Sequence, residues 1–449
     1  MRRLDSAMSK ILSDIVGTLT SRDGLRQRLR IPLYRNAFYL MMNSAITAAV
    51  GLAFWILAAR FYLAEDVGFA SAIISAMMLL ALLSTIGLDY GLIRFLPDSG
   101  KDSNAMINSC LTISGLASII IALIFIAGLG LWSPALLFLR QDPIFLGAFV
   151  IFTVGWTLGM LLSRTFVAER RAGFTLAQGI IFNLLRLPLV ILLVAFFAAF
   201  GIFASWGIGA MAAFGIGILL FLPRVRAGYR PFPAIRRKVV NQMVRFSFAN
   251  YIAALLWFAP IFILPMMVVN LVGAEANAYF YVAWAIANVL FTIPLGTSLS
   301  LFAEGSYEEQ RLGQDTRRSL KLAFTLAIPA IVLIFLIGDK LLLIFGPAYA
   351  ENATKLLRIL ALSLMPVSLN AIYFGVKRVE MKMKSVIGLT AFIAVATLVP
   401  SWVLLPQMGI LGVGVAWLSS QGVVALAIII SFILRRVAGR ERLRKLGAS

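Results

Sequence analysis

The sequence PRVRAGYRPFPAIRRKVVNQ, residues Pro223–Gln242, stands at the middle of this 449-residue chain. It carries six arginine and lysine side chains and no acid, and it is the longest polar segment between two apolar stretches. Six apolar stretches lie on either side of it, each near the roughly 20 residues that a helix needs to cross a bilayer. The segment therefore divides the chain into two halves of six predicted membrane-spanning helices.

The twelve predicted spans are joined mostly by short loops. They are residues 37–59, 67–88, 106–131, 144–163, 174–198, 202–222, 246–270, 277–302, 322–344, 356–376, 386–405 and 410–434. The sequence thus predicts an all-α integral membrane protein with about twelve transmembrane helices in two six-helix lobes.

Basic residues are sorted between the two sides of the predicted bundle. Of the 40 lysine and arginine residues, all but six lie in the odd-numbered gaps, counting the N-terminal tail as the first; the exceptions are Arg60, Arg140, Arg186, Lys340, Lys355 and Arg358. Lysine and arginine mark the cytoplasmic side of membrane proteins, so this distribution predicts cytoplasmic N- and C-termini. We expect a multi-pass protein in the plasma (inner) membrane of a prokaryote.

Composition excludes several classes of protein. A chain that is 61% hydrophobic and 13% charged has too much apolar surface for a soluble core. The net charge of +21 is spread over loops and tails, which suits anionic membrane lipids as partners and not nucleic acid. With no histidine and with Cys110 as the single cysteine, we expect no intrachain disulfide, no metal site and no cofactor.

The chain is predicted to contain five regions. These are a cytoplasmic basic amphipathic tail (1–35), an N-lobe of helices one to six (36–222), a cytoplasmic basic linker (223–242), a C-lobe of helices seven to twelve (243–435) and a cytoplasmic basic tail (436–449). Apolar residues from Leu4 to Leu19 recur at helical spacing, which indicates a helix on the membrane surface; a disordered basic tail is the alternative.

The two halves are weakly similar at an offset of about 210 residues. Residues 59–65 correspond to residues 269–275, and both segments lead into an alanine-rich helix. Because each half has six helices, the repeats share one orientation, and a pseudo-twofold axis is expected along the membrane normal. Two such lobes could rock against each other and expose a cavity between them to alternate sides.

Several short motifs follow one another in a specific order. They are Ala58-Ala59-Arg60, Glu65-Asp66-Val67-Gly68, Gly87-Leu88-Asp89-Tyr90-Gly91, Phe345-Gly346-Pro347-Ala348-Tyr349 and Pro406-Gln407-Met408-Gly409. From about residue 36 to 435 the chain resembles the polysaccharide transporters, the lipid-linked oligosaccharide (O-antigen-like) flippases of the MOP exporter superfamily. That superfamily also holds the MATE drug exporters and the lipid II flippases.

The resemblance implies a function and a set of partners. It implies a MOP/MATE-like fold, alternating access, and a cargo made of an isoprenoid diphosphate that bears a short glycan. It also implies a place in surface polysaccharide biosynthesis, beside the polymerase or glycosyltransferases of the same pathway. Members of the family commonly use cationic residues in the N-lobe cavity.

Arg186 is the one charge deep inside a predicted span. A charge at that depth costs several kcal/mol unless it faces a cavity or a partner. Its guanidinium fork suits a pair of phosphate oxygens, so we predict that it anchors the diphosphate. The alternatives are that Arg186 reaches the membrane surface or pairs with an acid such as Asp89. Asn183, three residues earlier on the same helix face, is predicted to contact sugar hydroxyls or to position the arginine.

Further candidates lie nearer the membrane boundaries. Asp89, Arg94 and Arg164 are expected near the cytoplasmic side, as interfacial anchors or as a basic path toward Arg186. Asn370 and Tyr373 suit sugar contacts if they face the cavity, although polar residues also join helices. Another set is predicted to gate the outer side through an ion pair, or else to be solvated loop charges: Arg60, Glu65 and Asp66.

Two other functions remain open from the sequence. A MATE-like cation-coupled drug antiporter would need a carboxylate deep in a lobe, and none is evident in the first six spans. A membrane-embedded glycan transferase or ligase would need acids at the outer surface, where only a few loop carboxylates occur. No phosphate-binding Gly-x-x-x-x-Gly-Lys-Ser/Thr motif is present, so no ATPase activity is expected.

Overall fold

A computed structural model describes residues 32–195, 197–305 and 311–446. Within these ranges every regular element is a helix. Among the described residues, eleven helices are long and apolar enough to cross a membrane, and the number is twelve if one further pair, bent by 40°, counts as one span. The chain is therefore an all-α multi-pass membrane protein, as predicted. The surface helix predicted from Leu4 to Leu19 lies outside the described residues.

The main helices of the first half are α1 (Pro32–Phe61), α2 (Ala64–Thr85), α3 (Leu88–Phe95), α4 (Ser103–Ala127), α5 (Pro143–Ala168), α6 (Ala172–Leu192) and α7 (Ala198–Ile216). A π-helical turn, Gly217–Phe221, extends α7 toward the central segment. Local signals fix some helix starts. For example, Asp142 caps α5 by accepting a hydrogen bond from the Ile144 amide at 2.8 Å, with Pro143 as the first helical residue.

The main helices of the second half are α8 (Arg237–Leu271), α9 (Ala274–Gly305), α10 (Leu312–Leu343), α11 (Pro347–Leu362), α12 (Leu364–Val379), α13 (Met383–Met408) and α14 (Ile410–Leu446). The bent pair is α11 and α12, which meet at Ser363. The tenth span was predicted to begin at residue 356 and to run unbroken. The structure differs, because Pro347 already begins a helix and the axis turns at Ser363.

The second predicted span, 67–88, is also broken in the structure. Ile86 and Gly87 both have positive φ, 50° and 78°, so α2 ends at Thr85 and α3 starts a new direction. A Cβ added to Gly87 would lie 3.0 Å from Cβ of Tyr251 in the other half. Glycine is therefore required here for its backbone conformation and for the close approach of α8.

The central segment is attached to α4. Its last residues already belong to α8, which begins at Arg237. Tyr229 donates to Asn108 Oδ1 at 2.6 Å, and the Asn108 amide donates to the Arg230 carbonyl at 3.0 Å. Burial raises the pKa of Tyr229 to about 12, so its hydroxyl remains a donor at neutral pH. The connection between the halves is thus held against the N-lobe.

The two lobes meet closely at one end of the bundle. This end carries Arg60, Glu65 and Glu275. It is called the opposite face because it lies across the bundle from the end that carries Arg94, Arg164 and Arg226. A Cβ added to Gly68 of α2 would overlap the carbonyl oxygen of Ala274 in α9. The Asn277 side chain of α9 also donates to the Gly68 carbonyl at 2.8 Å. Helices this close exclude any cargo between them.

The lobes also meet at the other end, called here the basic face because it carries Arg94, Arg164 and Arg226. A Cβ added to Gly91 of α3 would lie 2.8 Å from Cβ of Met243 in α8. The Tyr251 hydroxyl of α8 donates to the Leu83 carbonyl at 3.0 Å. The described conformation is therefore held together by contacts between the lobes at both faces.

Corresponding turns show that the halves are structural repeats. The α5–α6 turn places Arg170 at φ 56°, and the α12–α13 turn places Met381 at φ 56°. In both turns the next amide closes the helix end, from Arg171 to the Phe166 carbonyl and from Lys382 to the carbonyl five residues earlier, each at 2.9 Å. This is the same Schellman turn at an offset of about 210 residues.

Candidate functional site

Arg186 lies well inside the N-lobe. It is about 14 residues from the start of α6, which is roughly 21 Å along the helix at 1.5 Å per residue. Its side chain is only 1% exposed. The guanidinium therefore does not reach the membrane surface, and one of the alternatives considered for it does not apply to this structure.

Aromatic rings surround the guanidinium carbon of Arg186. The ring centroids of Phe182, Trp206 and Phe54 lie 4.4, 4.5 and 5.1 Å from it. They come from three helices, α6, α7 and α1. Cation–π attraction is strongest for a desolvated cation, at about 2 kcal/mol or more, so the rings offset part of the burial penalty. Tyr281 of the C-lobe contacts the Trp55 ring, with centroids 4.5 Å apart, and Trp55 in turn contacts Phe54 and Trp206.

Two donors of Arg186 have no hydrogen-bond partner among the described residues. They are the buried Nε and Nη2 atoms. Both lie on the same edge of the planar guanidinium, which is the edge that binds two oxygens of a phosphate or carboxylate together. Among the ion pairs of the described residues, none involves Arg186. Two adjacent buried donors that lack an acceptor are suited to an anionic ligand.

A row of polar and small residues connects Arg186 with the basic face along the contact between α1 and α6. The Asn183 side chain donates to Thr47 Oγ1 at 3.4 Å. The side-chain oxygen of Asn183, Oδ1, is buried and has no hydrogen-bond partner among the described residues. A Cβ added to Gly51 would lie 3.6 Å from Arg186 Nη2. Asn43, nearer the basic face, faces Gly179 of α6. The predicted pair of Asn183 and Arg186 therefore belongs to a longer polar seam.

Asp89 and Arg164 form a separate group at the basic face. Arg164 Nε lies 4.0 Å from Asp89 Oδ2, and Asp89 is buried while Arg164 is partly exposed. Burial raises the pKa of the Asp89 carboxyl, and Arg164 offsets part of that rise. Arg94 instead pairs with Asp98 at 3.1 Å on the surface. Arg164 lies near the end of α5, roughly 15 Å along the axis from Arg186.

Arg60 contacts the other lobe and not its neighbouring acids. Its Nε and Nη2 donate to the carbonyls of Ile344 and Leu343 at 2.7 and 2.8 Å, at the C-terminal end of α10. The predicted ion pair of Arg60 with Glu65 or Asp66 is therefore absent. Asp66 instead accepts from the Ala199 amide. A cation at a helix C-terminus is favourable because the unpaired carbonyls carry partial negative charge.

Glu65 lines a cavity between the lobes at the opposite face. Its volume is about 690 Å³, and Glu275, Tyr279 and Asn352 also line it. Tyr279 donates to the Glu275 carboxylate. The opposite face is thus acidic around this cavity, whereas the polar seam in the N-lobe is neutral or cationic.

Asn370 and Tyr373 lie in α12 of the C-lobe. Asn370 is buried, and its amide donates to the Gln421 side chain at 2.7 Å and to the Gln421 carbonyl at 3.0 Å. Tyr373 lies under the ammonium of Lys377, 5.1 Å from the ring centroid. In this conformation Asn370 joins two helices, which is the structural alternative stated for it above.

Sequence reasoning missed the aromatic cluster and the seam. Phe54 and Trp206 belong to helices that are distant in sequence from α6, so nothing local pointed to them. The residues of α1 did carry a signal. Asn36, Asn43, Thr47 and Gly51 recur at spacings of roughly one or two helical turns and therefore share one face of the helix.

Comparisons with known proteins bear on the fold. The sequence profile of the MatE family matches residues 251–404, and no curated protein matches the sequence. The lipid II flippase MurJ in an inward closed conformation is similar with a TM-score of 0.73 at 13% identity, over 88% of this chain and 87% of that one. An inward-facing MATE multidrug transporter is similar with a TM-score of 0.67 at 15% identity, over 90% and 99%.

A third solved structure is a MOP-superfamily transporter from Pyrococcus furiosus, described as having a binding pocket of reverse polarity. It has a TM-score of 0.58 at 14% identity, over 91% of this chain and 96% of that one. At these identities the likenesses establish the fold. The chain therefore has the two-lobed helical fold of the MATE and MurJ transporters.

Proposed function

We propose that this chain, which has the fold of the MOP-superfamily transporters, is itself such a transporter and carries an isoprenoid-diphosphate-linked oligosaccharide from the cytoplasmic to the outer leaflet. The unpartnered Nε and Nη2 donors of Arg186 are the observation that supports this cargo. A buried guanidinium edge is matched by a pair of phosphoryl oxygens, which would supply the missing acceptors.

The physical task is to move a charged and hydrated headgroup across about 30 Å of hydrocarbon. An ionised group in that environment is destabilised by far more than thermal energy unless the protein replaces its water. In the proposal Arg186 and Asn183 take the place of water around the diphosphate, while the isoprenoid chain remains in the lipid. Movement of the lobes then exposes the headgroup at alternate faces, with the basic face cytoplasmic.

A cation-coupled drug antiporter is the second candidate. The MatE match to residues 251–404 and the likeness to MATE multidrug transporters support it equally at the level of fold. The charge inside the N-lobe favours the first candidate, because an unpaired arginine repels cationic drugs. The fold also accommodates pockets of more than one polarity, as described for the Pyrococcus furiosus transporter.

The test is deletion of the gene in its host, extraction of lipid-linked saccharides, and complementation. We expect an isoprenoid diphosphate glycan to accumulate on the inner side and to be cleared by the wild type. Arg186→Gln should slow clearance roughly a hundredfold, because two charge-assisted hydrogen bonds are lost. Arg186→Lys should restore part of it, since the charge returns without the fork.

Arg237→Gln is the matched control, because Arg237 is an exposed arginine at the basic face, outside the seam. It should clear the glycan like the wild type. Normal glycan export in the deletion strain, together with a new sensitivity to cationic drugs, would reject the flippase in favour of the antiporter. If Arg186→Gln clears the glycan at the wild-type rate, the flippase proposal stands, but Arg186 does not bind the headgroup.

A further inference from the structure

A cavity at the basic face lies at the end of the polar seam that is farthest from Arg186. Its volume is about 320 Å³, and Arg35, Asn36 and Tyr39 of α1 line it together with Arg170 and Arg171 of the α5–α6 turn. Pockets for small ligands begin at about 300 Å³, so this cavity has room for a headgroup and not for a whole glycan. Three arginines around so small a volume create a strongly positive site.

Within the part of the chain that the structure describes, no acid forms an ion pair with these arginines. The closest acid in the chain, Glu169, is held by Arg226, with Nε and Oε1 2.7 Å apart. Among the described residues, no hydrogen bond or ion pair of the side chains of Arg35, Arg170 or Arg171 is formed. The site is therefore available to an anion from outside the chain.

The related turn of the C-lobe shows that the backbone does not require these arginines. Met381 of that turn has the same positive φ as Arg170. The following residue, Lys382, pairs with Glu380 at 2.9 Å. Lys377 pairs with Glu380 as well, at 2.7 Å. In the C-lobe turn Glu380 thus contacts two lysines, while in the N-lobe turn two arginines without an ion pair line a cavity.

The polar seam that leads to Arg186 begins beside the cavity. Tyr39, which lines the cavity, lies against Gly173 at the start of α6. The seam then continues through Asn43 and Thr47 to the arginine. Each step is one or two turns of α1, so polar groups follow one helix face over roughly 20 Å. Polar groups thus lie along α1 from the cavity to Arg186.

We infer that this cavity is a loading site for the phosphoryl headgroup of a membrane lipid, filled before the headgroup reaches Arg186. The identification of that lipid as the carried isoprenoid diphosphate rests on the proposed function. Arg170 and Arg171 bind the phosphoryl oxygens, and Arg35 completes the positive rim. The glycan stays outside the cavity on its aqueous side.

The experiment measures binding of farnesyl diphosphate to the full-length protein in a neutral detergent by titration calorimetry. The double variant Arg170→Met/Arg171→Gln should bind at least roughly tenfold more weakly, because two charge-assisted contacts are removed. The methionine follows Met381, which adopts the same backbone in the related turn, so the variant should keep the elution volume and melting temperature of the wild type.

The double variant Lys382→Gln/Lys384→Gln is the matched control. It removes two charges from the related turn and should bind farnesyl diphosphate with an affinity within about twofold of the wild type, since long-range effects of surface charge are screened. Unchanged binding in the arginine variant would overturn the loading site. Loss in that variant of phosphatidylglycerol binding alone, measured in phosphatidylcholine nanodiscs that contain phosphatidylglycerol, would also overturn the loading site, because the cavity would then hold a phospholipid that is not passed on to Arg186.

Arg186→Gln separates this inference from the proposed function. If Arg186→Gln weakens binding and the turn variant does not, the loading site fails and the flippase proposal stands. If the wild type does not bind farnesyl diphosphate at all, the proposed cargo fails and the loading site fails with it. Weaker binding of farnesyl diphosphate in both variants supports two successive binding sites, the cavity and Arg186.

Discussion

Arg186 in the N-lobe and Thr397 in the C-lobe occupy related positions, at the offset of about 210 residues that relates the two turns. Trp206 and Trp417 are related in the same way. In the C-lobe the Thr397 and Ser420 hydroxyls are 2.8 Å apart and hydrogen-bonded. In the N-lobe the same place holds an arginine with two unpartnered donors.

The difference extends to the tryptophans and to the amides. The Trp417 indole donates to Ser363 at 3.1 Å, whereas the Trp206 indole nitrogen has no partner in the part of the chain that the structure describes. Asn370 and Gln421 hydrogen-bond to each other, although each amide retains one unpaired atom. The C-lobe thus uses its buried polar groups mainly to join helices. The N-lobe leaves an unpaired cation, which is the arrangement expected where a ligand completes the site.

The largest expected effect comes from making the N-lobe resemble the C-lobe. Arg186→Thr places the C-lobe residue in the N-lobe, and glycan clearance should fall roughly a hundredfold because the phosphate-binding edge is lost. The melting temperature should not fall, since a buried unpaired charge is removed. Thr397→Val, which loses only the hydrogen bond to Ser420, should leave clearance within about twofold of the wild type. Equal loss in both variants would mean that the two lobes are not specialised.

The second prediction concerns the contact that closes the opposite face between the lobes. Gly68→Ala adds a methyl group where Ala274 already lies, so α2 and α9 must separate. In a Cys110→Ala background, a cysteine introduced by Ser71→Cys should react with a membrane-impermeant maleimide about tenfold faster when Gly68 is alanine, because buried thiols are protected.

The control for this prediction is Gly147→Ala, since a Cβ there meets nothing within 4 Å. It should leave the labelling rate at the level of the parent protein. An unchanged rate in Gly68→Ala would show that the contact of α2 with α9 does not govern access from the opposite face.

The smallest expected effect concerns the amide pair of the C-lobe. Asn370→Leu should lower the free energy of unfolding by about 1 kcal/mol, because Gln421 loses its partner in an apolar interior. The double variant Asn370→Leu/Gln421→Leu should recover most of that loss, and thermal unfolding in detergent measures both. Clearance should be unchanged in the two variants. A loss of clearance without a loss of stability would instead assign Asn370 to the glycan.

Some features could be predicted from residues close together in the chain. The apolar stretches gave the spans, and Arg186 stood out because a charge amid apolar residues is visible without any structure. The break at Ile86-Gly87 was missed, since apolar residues continue across it. The helix starting at Pro347 was missed for the opposite reason: its first turns are polar enough to suggest a loop.

The sequence by itself determined the membrane class, the division into two halves and the depth of Arg186, because the free energy of transferring each residue into lipid adds up along the chain. Only the tertiary structure decided the partners. Lateral packing brought Phe54 and Trp206 around Arg186, joined Arg164 to Asp89, and turned Arg60 toward the end of α10. These contacts depend on which helix faces meet, and hydropathy does not encode that choice when nearly every face is apolar.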